Sequence, residues 1–174
     1  TGKTAIAVDT MVNQFRQSLN LPALTINPAL QSAAKAHSDW MVSQDNPVSR
    51  ITGLNHYGPE NLTPFQRMTQ AGYNHYTYAG ENIACGNRDA MKTFRQWAFS
   101  GGHLSNLVNP HFHEMGIGRS GTGNEYCPYY WTNDFGSYTD PNKDSVGTAD
   151  LNLITQAIVA LSGPIPAGTV ISLT

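Results

Sequence analysis

Charge is scarce in this chain of 174 residues. Lys and Arg number 10, Asp and Glu 12, and together they make up only 13% of the sequence. They form no cluster of Lys and Arg, and the formal net charge is −2. An electrostatic footprint for nucleic acid or for an anionic membrane is therefore absent. No apolar run is long enough to span a bilayer. Motifs of familiar chemistry are missing as well. There is no Gly-x-Ser-x-Gly nucleophile elbow, no His-Glu-x-x-His zinc-protease helix and no Gly-rich phosphate loop. No internal repeat is visible. Cysteine is limited to Cys85 and Cys127.

What is present describes a globular protein. Hydrophobic residues make up 40% of the chain, enough for a sizeable core in one domain. Low charge with many Gly, Asn, Ser and Tyr residues suits a secreted surface. No signal peptide is visible where the chain opens at Thr1, so secretion implies that one has been removed. In a secreted protein an even cysteine count favours a disulfide, and two buried free thiols are the alternative. The bridge is favoured, because Cys85 follows the segment around Glu81 and Cys127 precedes Tyr129-Tyr130-Trp131.

Element signals are uneven. Ile6, Met11, Phe15 and Leu19 predict a first helix over residues 4–19. Asn27 as N-cap and Pro28 at the first helical position predict a second, to about Ser43. Leu30, Ala33, Ala34, His37, Trp40 and Met41 form its inner face. Thr63-Pro64 starts a short helix that Gly72 closes. A fourth helix is expected over residues 88–99, with Met91, Phe94 and Trp97 inward. Strands are expected at 81–84, 116–119 and 129–135, with a hairpin-like turn at 121–124. The order predicts an α+β fold. Beyond residue 138, a loop at 140–144 leads to Leu151, Ile154, Ile158 and Leu161 at helical spacing. Asp150 is a candidate cap and Gly163-Pro164 a stop. Residues 165–173 read as a strand or an extended arm.

One feature stands out chemically. Ala79-Gly80-Glu81-Asn82-Ile83-Ala84 puts a carboxylate into an apolar segment, where a charge needs a partner. Asn55-His56-Tyr57-Gly58 and Gly102-His103 supply two imidazoles that only a fold could bring to it. Pro64-Phe65-Gln66-Arg67-Met68, Ala71-Gly72-Tyr73, the Gly-Glu-Asn segment, Trp97, Ser100 and Gly102-His103 follow in order. After them come Asn109-Pro110, Phe112-His113-Glu114-Met115-Gly116-Ile117-Gly118 and Tyr130-Trp131-Thr132-Asn133-Asp134-Phe135-Gly136. This series, across residues 9–136, resembles the CAP superfamily, the SCP-like extracellular or pathogenesis-related-1 group, and its microbial branch most closely.

The resemblance implies a three-layer α-β-α sandwich around a central, mainly antiparallel sheet. A CAP domain would span residues 1–139, and 140–174 would be a C-terminal extension packed on it. It implies that His56, Glu81 and His103 share a groove able to take zinc or another divalent cation. Better-known eukaryotic members carry an acid shortly after the tryptophan that matches Trp97. Here that stretch is Ala98-Phe99-Ser100-Gly101-Gly102, so binding should be weak unless Glu114 or Asp89 substitutes. A purely structural network around a buried Glu81 is the bland alternative.

Tyr73, Tyr76, Tyr78 and Asn82 are the candidate ligand contacts. His37 reads as a core or capping histidine, His75 as a turn residue, and His111 with His113 as a surface pair. Trp40, Trp97 and Trp131 read as core. Asn61-Leu62-Thr63 fits the N-glycosylation pattern. The functional expectation is a secreted, monomeric binding protein for a small molecule, lipid, peptide or cell-wall fragment. The alternative is a metal-dependent hydrolase with His56 and His103 on zinc and Glu81 as general base. The sequence favours the non-enzymatic reading.

Overall fold

A computed structural model describes residues 2–46, 48, 52–121, 125–137 and 151–172, with side chains from Val8 onward. Helix α1 (Gly2–Ser18) precedes a two-residue strand, β1 (Thr25–Ile26). Helix α2 (Pro28–Ser43) starts where Asn27 Oδ1 accepts from the amides of Ala29 and Leu30, at 2.9 and 3.2 Å. Helix α3 (Pro64–Gln70) opens with a reciprocal capping box. Gln66 N donates to Thr63 Oγ1 and Thr63 N to Gln66 Oε1, which satisfies two otherwise orphaned donors. Strand β2 (Ala79–Cys85), helices α4 (Ala90–Ala98) and α5 (Gly101–Leu107), and strands β3 (Glu114–Gly121) and β4 (Tyr129–Gly136) follow. Helix α6 (Leu151–Ser162) comes last.

The sheet runs β1-β3-β4-β2. Strand β1 is parallel to β3 and the other pairings are antiparallel, so the sheet is mainly antiparallel. One face carries α2, and the approach is very close. A Cβ on Gly116 would lie 2.1 Å from Gln31 N, and one on Gly118 2.4 Å from Lys35 Cα. Those two glycines let the helix lie on the strands. On the other face Phe15, Phe94, Trp97, Trp131 and Phe135 build the main core with residues of α1, α4 and α6. Ile154 and Ile158 of α6 are fully buried in it. Arg95 donates to the carbonyls of Ser162 and Pro164, tying the segment after α6 to α4. Residues 165–172 form no strand, so the strand alternative for the tail does not hold there.

Cys85 and Cys127 form a disulfide, with a Cα–Cα distance of 5.2 Å across 42 residues. It closes the end of β2 onto the approach to β4, beside Met41, Ile83 and Tyr130. Strand β1, helix α5 and a 3-10 turn at Pro59–Asn61 were not foreseen. The expected loop at 140–144, the cap at Asp150 and all but Gly121 of the turn at 121–124 lie outside the described residues.

Candidate functional site

Strand β2 is an edge strand, and its alternation builds the site from both sides. Glu81 and its direct cross-strand partner Asp134, itself opposite Gly116, point to the α2 face. Asn82 points the other way, towards α5. Its Nδ2 donates to the carbonyl of His103 at 3.0 Å, and its Oδ1 accepts from Asn106 Nδ2 at 2.9 Å. Adjacent residues of one strand therefore reach to opposite sides of the sheet, Glu81 to α2 and Asn82 to α5.

On the α2 side the loop at 52–58 is held in place by two side chains. His37 Nε2 donates to Asn55 O at 2.7 Å, and Arg67 Nη2 to His56 O at 2.8 Å. These bonds fix the backbone on either side of the His56 amide. His56 Nδ1 then meets Glu81 Oε1 at 2.9 Å, and Arg67 Nη2 donates to Glu81 Oε2 at 2.8 Å. The Glu81 side chain is only 2% exposed, whereas that of His56 is 47% exposed. A buried carboxylate thus orients a half-exposed imidazole, whose Nε2 is left for another partner.

Electrostatics fit this division of labour. Burial pushes the Glu81 carboxyl up, but the His56 hydrogen bond and the Arg67 charge outweigh it and hold its pKa below the usual value. Asp134 is fully buried and goes the other way. Burial first, then the Glu81 charge, raises it well above the carboxylate range. Neither Asp134 oxygen accepts a hydrogen bond from the protein. The raised pKa favours a protonated, neutral Asp134 beside the Glu81 carboxylate. Two carboxyls and one guanidinium in a dry layer then carry no net charge. His37 lies 4.0 Å from Glu81 but is no ion-pair partner. Burial lowers its pKa to about 4 and keeps the ring neutral.

On the other side of β2 lies α5, tied to it through Asn82. His103 is half-buried, and its Nδ1 meets Ser100 Oγ at 2.9 Å. Burial, and after it the charge of His56, holds its pKa below the usual value. Ser100 orients His103 within the stretch that lacks an acid. Neither proposed substitute stands there. Glu114 accepts from Asn27 Nδ2 at 2.6 Å, and Asp89 caps α4.

The expected site residues differ in what they touch. Among the described residues no three of His, Cys, Asp and Glu are grouped to hold a metal ion. Both Glu81 oxygens are engaged, one by His56 and one by Arg67. Asn82 is fully buried and positions α5, so it is not an open ligand contact. Tyr73 is buried with Leu30, Ala33 and Met68, and its hydroxyl donates to Ser137 O at 3.2 Å. Tyr76 stacks on Tyr73 and Tyr78 on His111. The three tyrosines do not make one wall, because their successive turn positions send them to different neighbours. Trp97 and Trp131 are fully buried, whereas Trp40 is half-buried.

Sequence reasoning missed the roles of Arg67 and Asp134. Arg67 sits on the inner face of α3 beside Met68. Asp134 is two residues from Thr132 on the same buried strand face. A charge at each of those inward positions was the available signal.

The chain matches the CAP family, described as the cysteine-rich secretory protein family, over residues 10–135. Over 125 residues it is 31% identical to the uncharacterized protein YkwD of Bacillus subtilis, a match covering 72% of this chain and 44% of that protein. An extracellular SCP-domain protein from Bacillus anthracis superposes with a TM-score of 0.65 at 24% identity, over 78% of this chain and 41% of that one. An outer surface protein of Borrelia burgdorferi gives a TM-score of 0.65 at 20% identity, over 79% of this chain and 94% of that one. At these identities the structural matches establish the fold. With that fold and the family match together, the chain belongs to the CAP superfamily, in its microbial branch. It spans less than half the length of YkwD and of the B. anthracis protein.

Proposed function

We propose that this CAP domain is an extracellular binding module. Its cleft lies between His56 and His103 at the β2 edge and takes a divalent cation together with a small or extended ligand. The observation that carries the reading is the half-exposed His56 imidazole held by a buried Glu81–Arg67 pair. The extracellular setting follows relatives described as extracellular and outer-surface proteins, and the disulfide suits it.

Two neutral imidazoles suit zinc among the common divalent ions. Nε2 of His56 and Nε2 of His103 would hold it, with Glu81 and Ser100 fixing the rings from behind. A bound cation would polarise an oxygen or nitrogen of the ligand. Only two protein ligands make the binding weak. The geometry does not favour hydrolysis. Glu81 is buried with both oxygens engaged, so it is not placed to activate a water in a substrate-facing position.

Calorimetric titration of zinc tests the proposal. The wild-type protein is expected to bind one ion weakly, with affinity falling as pH drops through the histidine range. His103→Ala and His56→Ala should each remove most of the heat. Unchanged affinity in both variants would refute the assignment.

A further inference from the structure

Tyr130 takes no part in the bonds around Glu81, yet it reaches the loop that carries His56. The residue is fully buried in β4, directly across from Cys85 of β2. It belongs to the apolar cluster of Met41, Ile83 and Cys127. Its hydroxyl has two partners that fix its direction. It accepts from the Gly53 amide at 2.9 Å and donates to Asp45 Oδ1 at 2.9 Å. Asp45 follows the end of α2, and Gly53 lies at the start of the 52–58 loop. One phenol therefore joins the sheet, the end of α2 and the loop.

The surroundings give this bond a positional meaning. Residues 52–58 form no helix or strand, so side chains from other elements set their path. At Gly53 the loop is pressed on α2 without slack, since a Cβ there would lie 2.0 Å from Met41 O. His37 and Arg67 hold the carbonyls of Asn55 and His56, and both also approach Glu81. Tyr130 holds the amide three residues before His56, from outside that network. Three residues span at most about 10 Å. A shift at Gly53 is therefore passed to the imidazole, whose Nδ1 lies 2.9 Å from Glu81 Oε1. The hydroxyl is also a constant anchor. Burial first, and then the Asp45 hydrogen bond, pushes its pKa to about 12, so it keeps its proton wherever histidine titrates.

We propose that Tyr130 is a positioning residue for His56. Its hydroxyl sets where the 52–58 loop sits, and through it the aim of the half-exposed imidazole at Glu81. The consequence for zinc affinity rests on the reading of the cleft given above; the consequence for the His56–Glu81 contact does not.

The test compares the metal-free protein with Tyr130→Phe, which removes the hydroxyl and keeps the ring. Long-range proton–nitrogen NMR of the imidazoles is recorded well below each thermal midpoint. In the wild type the Glu81 contact should hold the proton of His56 on Nδ1. In Tyr130→Phe the His56 pair of ring nitrogens should move to the positions shown by the exposed His75. The His103 pair, held by Ser100, should stay. Gly53→Ala, which drives the loop off Met41 with the hydroxyl intact, should give the same change and carries the test if Tyr130→Phe does not fold. Asp45→Asn keeps an acceptor for the hydroxyl and should retain the wild-type His56 pattern. In calorimetry Tyr130→Phe should bind zinc several-fold more weakly than the wild type. A tyrosine that only stabilises the fold would lower the unfolding midpoint and leave the His56 nitrogens in place, and that result overturns the proposal. Unchanged zinc affinity beside a wild type that does bind also overturns it. If the wild type binds no zinc, the cleft reading fails, and the metal-free comparison alone decides on Tyr130.

Discussion

Replacing Arg67 by methionine removes the one cation in the buried layer and keeps most of the side-chain volume. Glu81 is then left with His56, which is half-exposed, and with Asp134, an acid. Arg67 is 8% exposed and Glu81 2%. Breaking one partner from a buried pair costs about 3–5 kcal/mol, because the remaining charge loses its compensation. Against a total stability of about 5–15 kcal/mol for a domain, that is a large fraction. At about 2–4 °C per kcal/mol for a chain of this size, the midpoint of thermal unfolding should fall by roughly 10 °C. Urea denaturation should show the same loss without a change in slope. Arg67→Met with Glu81→Gln should recover part of it, since the stranded carboxylate is then gone. If Arg67→Met lies within about 1 kcal/mol of wild type, Arg67 and Glu81 do not form the buried pair described.

Other expectations follow from the same layer and from the core. His37 has a folded pKa of about 4, below its unfolded value of about 6.5. The protein should therefore lose stability as pH falls from about 6.5 towards 4, by the order of 3 kcal/mol for this group. His37→Gln, which keeps a donor for Asn55 O, should flatten that arm of the urea-midpoint profile, and an unchanged arm counts against a neutral buried His37. Mass spectrometry without reductant should find no free thiol. Reducing the Cys85–Cys127 bridge, which spans 42 residues, should cost about 4 kcal/mol by loop-closure entropy. Ile158→Ala should cost about 2–5 kcal/mol if α6 is part of the folded core, and limited proteolysis should spare residues 151–161. Rapid clipping there that leaves a stable remainder would show that it is not.

Much of this architecture was legible in local chemistry. Asn27-Pro28 and Thr63-Pro64 are start signals whose mechanism operates within one turn, so α2 and α3 start where the sequence places them. Leu151, Ile154 and Ile158 likewise marked α6 by period alone. Strand β1 has only two residues and takes its pairing from β3, a partner remote in sequence. Helix α5 opens on Gly101-Gly102, poor helix formers, and is held by burial of Leu104 and Leu107. At the site, the family resemblance pointed to His56, Glu81 and His103, but not to the division between them. That division depends on which face of β2 each residue occupies. A one-residue difference in register decides it, and the pairing of Glu81 with Asp134 was not readable from either segment alone. Tyr73 misled for a related reason, because its proximity in sequence to Tyr76 and Tyr78 says nothing about which of them the fold buries.

The central claim is that His56 and His103 present their Nε2 atoms to one ligand while Glu81 and Ser100 hold the rings from behind. Long-range proton–nitrogen NMR of the imidazoles during a zinc titration tests it most directly. The account predicts that the Nε2 resonances of His56 and His103 shift together at one equivalent of zinc, while the ring nitrogens of His37 stay in place. Zinc-induced shifts confined to other histidines, or none at all, would contradict it.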